Sequence, residues 1–334
     1  MDGEHRTEFK DFLFSFGMTV AGLILLFLGS VTIVPRASER LALPKSSPRQ
    51  FNFEKTLNAA ALPASHSMVP VAVSSTTAIP KLTAAAAVIV DDKTGTVLWS
   101  KNPDEVRSLA SITKLISALV ILDCVPNWAT TTIILDNDDV ESSHFLYAGE
   151  KITAEDLWHA ALIGSSNGAI NALARIACPK EFTEFVLQMN VKAQALGLNT
   201  LRLVEPTGLD SGNRGTAMDI IKLLAVALEK EKIADTLATG EYYIRPVGEK
   251  TPRRVWSTNW LLTNWIPNRF GPAKIAGKTG FINDSGYNFV VRIKNRDNQA
   301  VRVVVLGTAS NEARFTEARD LAEWAFANYR WPTN

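Results

Sequence analysis

Two β-rich runs beginning near residue 84 and three more near the C terminus bracket a long helical middle, and this bracketing constrains the fold more than any other feature. In AAAVIVDDKTGTVLWSKN the strand-forming runs flank Asp-Lys-Thr-Gly, a hairpin signal. KIAGKTG, YNFVVRIK and AVRVVVLGTA have the same texture, and EARFTEARDLAEWAFANYR closes the chain as a helix. Strands at both ends can share a core only if the first hairpin joins the last strands in one antiparallel sheet. The expected class is therefore α/β of the α+β kind, an antiparallel sheet flanked by helices plus an all-helical lobe. A cleft between the two lobes is the natural position for a site.

The middle carries helix-start signals. Thr153 stands three residues before Asp156 in ITAEDLWHAALIG, and Thr216 three before Asp219 in TAMDIIKLLAVALEK, both capping-box spacings. KEFTEFVLQMNVKAQALGL places Phe182, Phe185, Val186, Met189 and Leu196 at helical intervals before Gly197. With 334 residues and 46% hydrophobic content, the chain can bury a sizeable core.

Upstream lies FLFSFGMTVAGLILLFLGSVTIV, residues 12–34, uncharged and long enough to cross a hydrocarbon layer of about 30 Å. A membrane anchor is favoured over a cleaved signal peptide, because the run exceeds the usual h-region and no A-x-A site follows it. Residues 1–11 are then a cytoplasmic tail and residues 35–83, rich in Ala, Pro and Ser, a flexible linker reaching about 40 Å on average. Arg36, Arg40, Lys45 and Arg49 after the span outnumber Arg6 and Lys10 before it, which by charge counting favours a cytoplasmic C-terminal side. The chemistry of residues 84–334 argues for the opposite orientation.

Several function classes are excluded early. Thirty-five Lys and Arg against 34 Asp and Glu leave a formal charge of +1, so nothing marks a nucleic-acid partner. His5, His66, His144 and His159 have no metal-ligand spacing. Cys124 and Cys178 form no CxxC; they are either buried thiols or, in an oxidising compartment, one disulfide.

RSLASITKL, residues 107–115, sets Ser111 and Lys114 one helical turn apart at an apparent helix start. A serine hydroxyl is a weak nucleophile until a base removes its proton, and a neutral lysine amine can be that base. Lysine's pKa of about 10.4 must fall to about 7 or 8 for the role, which burial and a second cation would promote. Lys278-Thr279-Gly280 on a strand supplies that cation, and Ser165-Ser166-Asn167 lies between two helices. Each motif alone is weak, as the ordinary turn Lys93-Thr94-Gly95 illustrates. SxxK, SxN and KTG in this order are the signature of β-lactamases and penicillin-binding proteins.

On these motifs, and on IGSSNGAINALA, VEPTGLDSGNRGTAMDIIKLL, STNWLL and GKTGFINDSGYNFVV, residues 84–334 resemble the low-molecular-weight penicillin-binding proteins, serine D-alanyl-D-alanine carboxypeptidases and endopeptidases of peptidoglycan. The likeness is greatest to the short endopeptidase-type members, with Gly168 departing from the Asp that many relatives carry after SxN. The resemblance implies a β-lactamase/transpeptidase-like fold and a serine acyl-enzyme, without cofactor or metal. It implies that Ser111 is acylated, that Lys114 takes its proton and that Ser165 relays a proton to the leaving amine. Asn167 would hold the substrate amide, Lys278 and Thr279 of the Lys-Thr-Gly280 strand the carboxylate, and the backbone N–H groups of Ser111 and Phe281 the oxyanion. Peptidoglycan stem peptides and crosslinks would be substrates, β-lactams acylating inhibitors, and the periplasm the location, with the catalytic domain held to the inner membrane by its N-terminal helix.

Two rivals stand beside this reading. A β-lactamase needs a deacylating glutamate in an ExxLN loop, and Glu205 in EPTGLD does not fit that pattern. A catalytically idle cell-wall-binding scaffold would need a misplaced nucleophile. Trp256, Trp260 and Trp265 are either packing residues or a stacking surface for sugar rings. Tyr287 is close enough to KTG to reach the cleft, with no role assigned.

Overall fold

The computed structural model describes residues 69–73, 77–125, 127–138, 145–178 and 182–332. The expected tail, membrane anchor and most of the linker lie outside the described residues.

The chain enters with β1 (Val71–Ala72), β2 (Ala86–Asp91), β3 (Val97–Lys101) and β4 (Arg107–Ser108), then a 3₁₀ turn over Ala110–Thr113 and helix α1 (Lys114–Cys124). The middle contains β5 (Thr131–Ile133), β6 (Lys151–Thr153), α2 (Ala154–Leu162), α3 (Asn167–Ala177), α4 (Phe182–Ala195), β7 (Arg214–Gly215), α5 (Ala217–Leu228) and α6 (Glu231–Leu237). A hairpin of β8 (Glu241–Ile244) and β9 (Arg253–Trp256) precedes β10 (Ile275–Ile282), β11 (Gly286–Lys294), β12 (Ala300–Thr308), α7 (Asn311–Asn328) and β13 (Tyr329–Arg330).

Among the described residues β10, β11, β12, β2 and β3 form, in that order, a five-stranded antiparallel sheet. The hairpin expected at Asp-Lys-Thr-Gly is β2–β3, its turn closed by Thr94, whose N–H and hydroxyl both donate to Asp91 Oδ2. β2 pairs with β12, Val88 opposite Val304, so the two ends of the chain meet as the strand pattern requires. Alternate residues of the sheet face different cores. Val88, Val90, Val290 and Val304 pack with the helices of the middle, whereas Ile89, Val291, Val303 and Val305 pack with Phe315 and Leu321 of α7. Burial on both faces explains why these strands read as continuous apolar runs.

Folded structure begins earlier than residue 84, which corrects the linker boundary. Val71 and Ala72 pair with Arg330 and Tyr329, Thr77 O accepts from Trp324 Nε1 at 3.0 Å, and the Glu317 carboxylate accepts from the N–H groups of Thr83 and Ala84. The last stretch of the expected tether is thus clasped to α7 and β13.

Thr153 and Thr216 cap α2 and α5 as their spacing implies, each hydroxyl accepting from the N–H three residues on. The paired carboxylates do not close the box. Asp156 takes Tyr242 Oη–H and Arg245 N–H, and Asp219 takes both donors of Thr200, so each ties its helix to a distant segment. Cys124 and Cys178 are free thiols, both made less acidic by burial, with Cys124 Sγ 3.5 Å from Gln188 Oε1.

Candidate active site

Ser111 lies in the 3₁₀ turn and Lys114 is the first residue of α1, so the helix starts three residues later than the motif suggests. The tighter turn brings i and i+3 almost into register. Lys114 Nζ accordingly sits 2.8 Å from Ser111 Oγ. The turn is entered through Ala110 at φ +48°, a left-handed conformation costing a non-glycine residue about 1–3 kcal/mol and concentrated at functional sites.

Surrounding structure holds this turn in place. Asn288 of β11, fully buried, donates from Nδ2 to Ser108 O at 3.0 Å and Leu109 O at 3.2 Å while its Oδ1 accepts from Gly307 N–H. Two glycines press on the turn. A Cβ at Gly280 would lie 2.7 Å from Leu109 O and 3.2 Å from Ile112 N. A Cβ at Gly208 would collide with Ala110 O and reach within 2.8 Å of Ser111 N. The backbone carrying Ser111 is therefore clamped between β10 and the loop around residue 208.

Lys114 is fully buried, and its Nζ also lies 2.6 Å from Asn167 Oδ1 and 2.7 Å from Thr207 O. Asn167 opens α3, where Ser166 caps the helix by accepting from Ala169 N–H. Ser165 sits at φ +62°, a second left-handed non-glycine residue, and its Oγ accepts from Lys278 Nζ at 2.7 Å. Lys278, buried in the middle of β10, also donates to Thr279 O at 3.0 Å. Burial, then the neighbouring Lys114 and Arg314 cations, push the Lys278 amine well below the ordinary lysine value. Thr279 Oγ1 meets Thr258 Oγ1 at 2.6 Å.

All three motifs thus converge: Ser111 with Lys114, Lys114 with Asn167, and Ser165 with Lys278. Phe281, the residue after KTG, is 45% exposed and stacks on Tyr287 at 4.3 Å between ring centroids. Tyr287 therefore supports an exposed aromatic at the end of the strand. Trp260 packs on Phe315 and against the ring of Trp265 at 5.5 Å between centroids, whereas Trp256 is exposed under the Arg254 guanidinium, so the three do not form one packing cluster.

Sequence reasoning passed over four contributors. Thr207 acts through its carbonyl, Gly208 through lack of a side chain, and Asn288 through buried contacts to backbone. Arg314 lies on α7, 34 residues from the strand carbonyl it contacts, with NH1 donating to Gly280 O at 3.0 Å and burial lowering its pKa to about 10. EPTGL was visible as a motif, but its contact with Lys114 runs through main chain and has no side-chain signature.

A buried amine set against one serine, with a second amine and hydroxyl facing it across a two-lobed α+β fold, is the arrangement that acyl transfer through an active serine requires. Residues 73–310 match the family of D-alanyl-D-alanine carboxypeptidases, Peptidase S11, and the chain belongs to that family, the serine D,D-peptidases of the cell wall. It is 33% identical over 247 residues to a D-alanyl-D-alanine endopeptidase of Pseudomonas aeruginosa, covering 73% of this chain and 77% of the relative. A D-alanyl-D-alanine endopeptidase of Escherichia coli is 31% identical over 266 residues, covering 76% and 80%. The fold is similar to penicillin-binding protein D2 of Listeria monocytogenes, crystallised with cefotaxime bound, at TM-score 0.64 and 25% identity over 75% of this chain and all of that one.

Proposed function

We propose that the site cleaves D-alanyl bonds of peptidoglycan through an acyl-enzyme on Ser111, with crosslinks as the principal substrate. The observation that carries this reading is the environment of Lys114 Nζ. Among the described residues, two groups beside it, Asn167 Oδ1 and Thr207 O, can only accept hydrogen bonds. A neutral amine that donates its two N–H bonds to them has one direction left, its lone pair, and Ser111 Oγ lies there. Lys114 then accepts the Ser111 proton as Oγ attacks the D-Ala carbonyl carbon. The tetrahedral oxyanion collapses with expulsion of the amine, which receives through Ser165 the proton that Lys114 took, leaving Lys114 neutral again. Water attacks the ester, the same base removes a proton from it, and Ser111 is regenerated.

Lys278 and Thr279 would bind a carboxylate of the departing residue. A carboxylate there supplies a counter-charge that the buried Lys278 amine does not have among the described residues, so binding favours its protonated form. Asn167 Oδ1, already beside Lys114, belongs to the side chain that would hold the substrate amide. Acylation by β-lactams follows from the same geometry, since a strained lactam carbonyl presents the same electrophile. The endopeptidase reading is supported by the relatives of Pseudomonas aeruginosa and Escherichia coli, both named endopeptidases, whereas the matching family and a Bacillus subtilis relative carry the name carboxypeptidase. A β-lactamase reading is disfavoured because Glu205 does not stand in an ExxLN loop and both of its oxygens accept from N–H groups of its own loop.

The apolar run at residues 12–34 supports an inner-membrane anchor with the catalytic domain in the periplasm, where peptidoglycan lies. Chromatography of purified crosslinked muropeptides incubated with the protein tests the activity. Dimers falling to monomers with wild type and not with S111A is the expected outcome; pentapeptides shortened to tetrapeptides with dimers intact would replace the endopeptidase assignment with carboxypeptidase.

A further inference from the structure

The Glu205 carboxylate is the hub of the loop that touches both members of the reacting pair. Its Oε2 accepts from Thr207 N–H and Thr207 Oγ1–H, each at 2.6 Å. Its Oε1 accepts from Gly208 N–H and from Asn213 Nδ2. Asn213 returns Oδ1 to Val204 N–H at 2.7 Å and Glu205 N–H at 3.3 Å, and its carbonyl accepts from Leu109 N–H at 2.9 Å, beside the nucleophile turn. Ser117 of α1 donates to Pro206 O at 2.7 Å, pinning the loop to the helix that bears Lys114.

From this frame two groups project toward the chemistry. Thr207 O, one residue from Gly208 and held by the Thr207 donors, meets Lys114 Nζ. Gly208, at φ +91°, lies against the backbone of Ala110 and Ser111, closer than any side chain would allow. We propose that Glu205 is a positioning residue for acylation: its carboxylate fixes the Thr207 carbonyl that aims the Lys114 lone pair at Ser111. This rests on the reading of Lys114 as the base for Ser111.

The need is for a carboxylate specifically. All four partners are donors, and a carboxylate offers two oxygens that only accept. Glutamine at this position would turn its NH₂ toward one pair of donors and leave that pair unmet. The carbonyl at Thr207 would shift, and an amine whose lone pair has swung off Ser111 Oγ no longer removes its proton in line. Substrate contacts on β10 and at Ser165 would be untouched, so the loss belongs to the acylation step and not to binding.

The test uses the protein with a fluorescent penicillin, resolving the dissociation constant of the non-covalent complex from the acylation rate constant by stopped flow, alongside thermal unfolding. For E205Q the acylation constant is expected to fall at least tenfold, with the dissociation constant within twofold of wild type and the melting temperature nearly unchanged. An acylation constant equal to wild type overturns the proposal, as does a proportional change in both constants, which would mark general distortion of the cleft. Should E205Q fail to fold, T207V decides, since it removes one donor to Oε2 and keeps the branched side chain: at least a threefold loss confined to acylation supports the proposal, and a wild-type constant overturns it. If wild type forms no adduct on Ser111, the underlying reading fails and this inference with it; if wild type reacts and E205Q reacts equally well, only the inference fails.

Discussion

Lys114→Met keeps the length of the side chain and deletes its amine, which separates the catalytic from the structural value of the residue. Removing Nζ takes a donor from Asn167 Oδ1 and from Thr207 O. Each buried acceptor left unmet costs about 1–3 kcal/mol. Against this, the folded protein no longer has to hold a lysine neutral at pH 7, a cost of about 4–5 kcal/mol for a side chain whose ordinary pKa is about 10.4. The two contributions oppose each other and leave a net change within about 3 kcal/mol, or a melting shift under about 12 °C for a domain of this size. The effect on rate has no such offset. A positioned general base typically contributes 10²–10⁴-fold, equivalent to about 3–5 kcal/mol of barrier. K114M is therefore expected to be folded, to keep its heat-induced transition and to acylate at least a hundredfold more slowly with fluorescent penicillin at pH 7. A folded K114M that acylates within tenfold of wild type would refute the assignment of Lys114 as base.

Other perturbations follow from the same packing. Lys278→Met should abolish turnover yet change the pH dependence of stability in a definite direction: the unfolded chain keeps the Lys278 proton up to about pH 10.4 while the folded protein releases it at a lower pH. Wild-type stability should thus decline as pH falls from that value toward the depressed one, and titration of unfolding free energy against pH should show this slope reduced in the variant. Asn288→Ala leaves Ser108 O, Leu109 O and Gly307 N–H without their side-chain partner, and chemical denaturation should register a loss of roughly 3 kcal/mol or more. Gly280→Ala drives a methyl into Leu109 O and should slow acylation far more than it lowers the melting temperature, as paired kinetic and calorimetric measurements would reveal.

The parts of the site that were legible in the chain are those whose chemistry resides in side chains at short fixed intervals. Ser111 with Lys114, Ser165 with Asn167, and Lys278 with Thr279 each declare themselves within four residues, and the strand pattern brings β2 beside β12 by elimination of other partners. What escaped notice acts through backbone or over long separations. Thr207 contributes a carbonyl, Gly208 an absence of bulk, and Asn288 reaches back 180 residues to Ser108 O. The capping carboxylates Asp156 and Asp219 illustrate the same limit: local spacing indicated a closed box, and tertiary donors from Tyr242, Arg245 and Thr200 claimed them instead. The clasp of β1 on β13 was hidden because Val71 and Ala72 lie in a stretch whose Ala, Ser and Pro content reads as tether. The 3₁₀ turn at Ser111 was likewise not visible, since its stabilising contacts come from Asn288 and Gly208 and not from its own residues.

Acyl transfer at this site requires one atom, the Oγ of Ser111, to become covalently bonded. Intact-mass measurement followed by peptide mapping after incubation with benzylpenicillin examines that bond without regard to natural substrate. One penicilloyl group per chain, carried by the peptide containing Ser111 and missing from S111A, is the predicted result. An unmodified wild-type chain, or an adduct that persists in S111A, would contradict it.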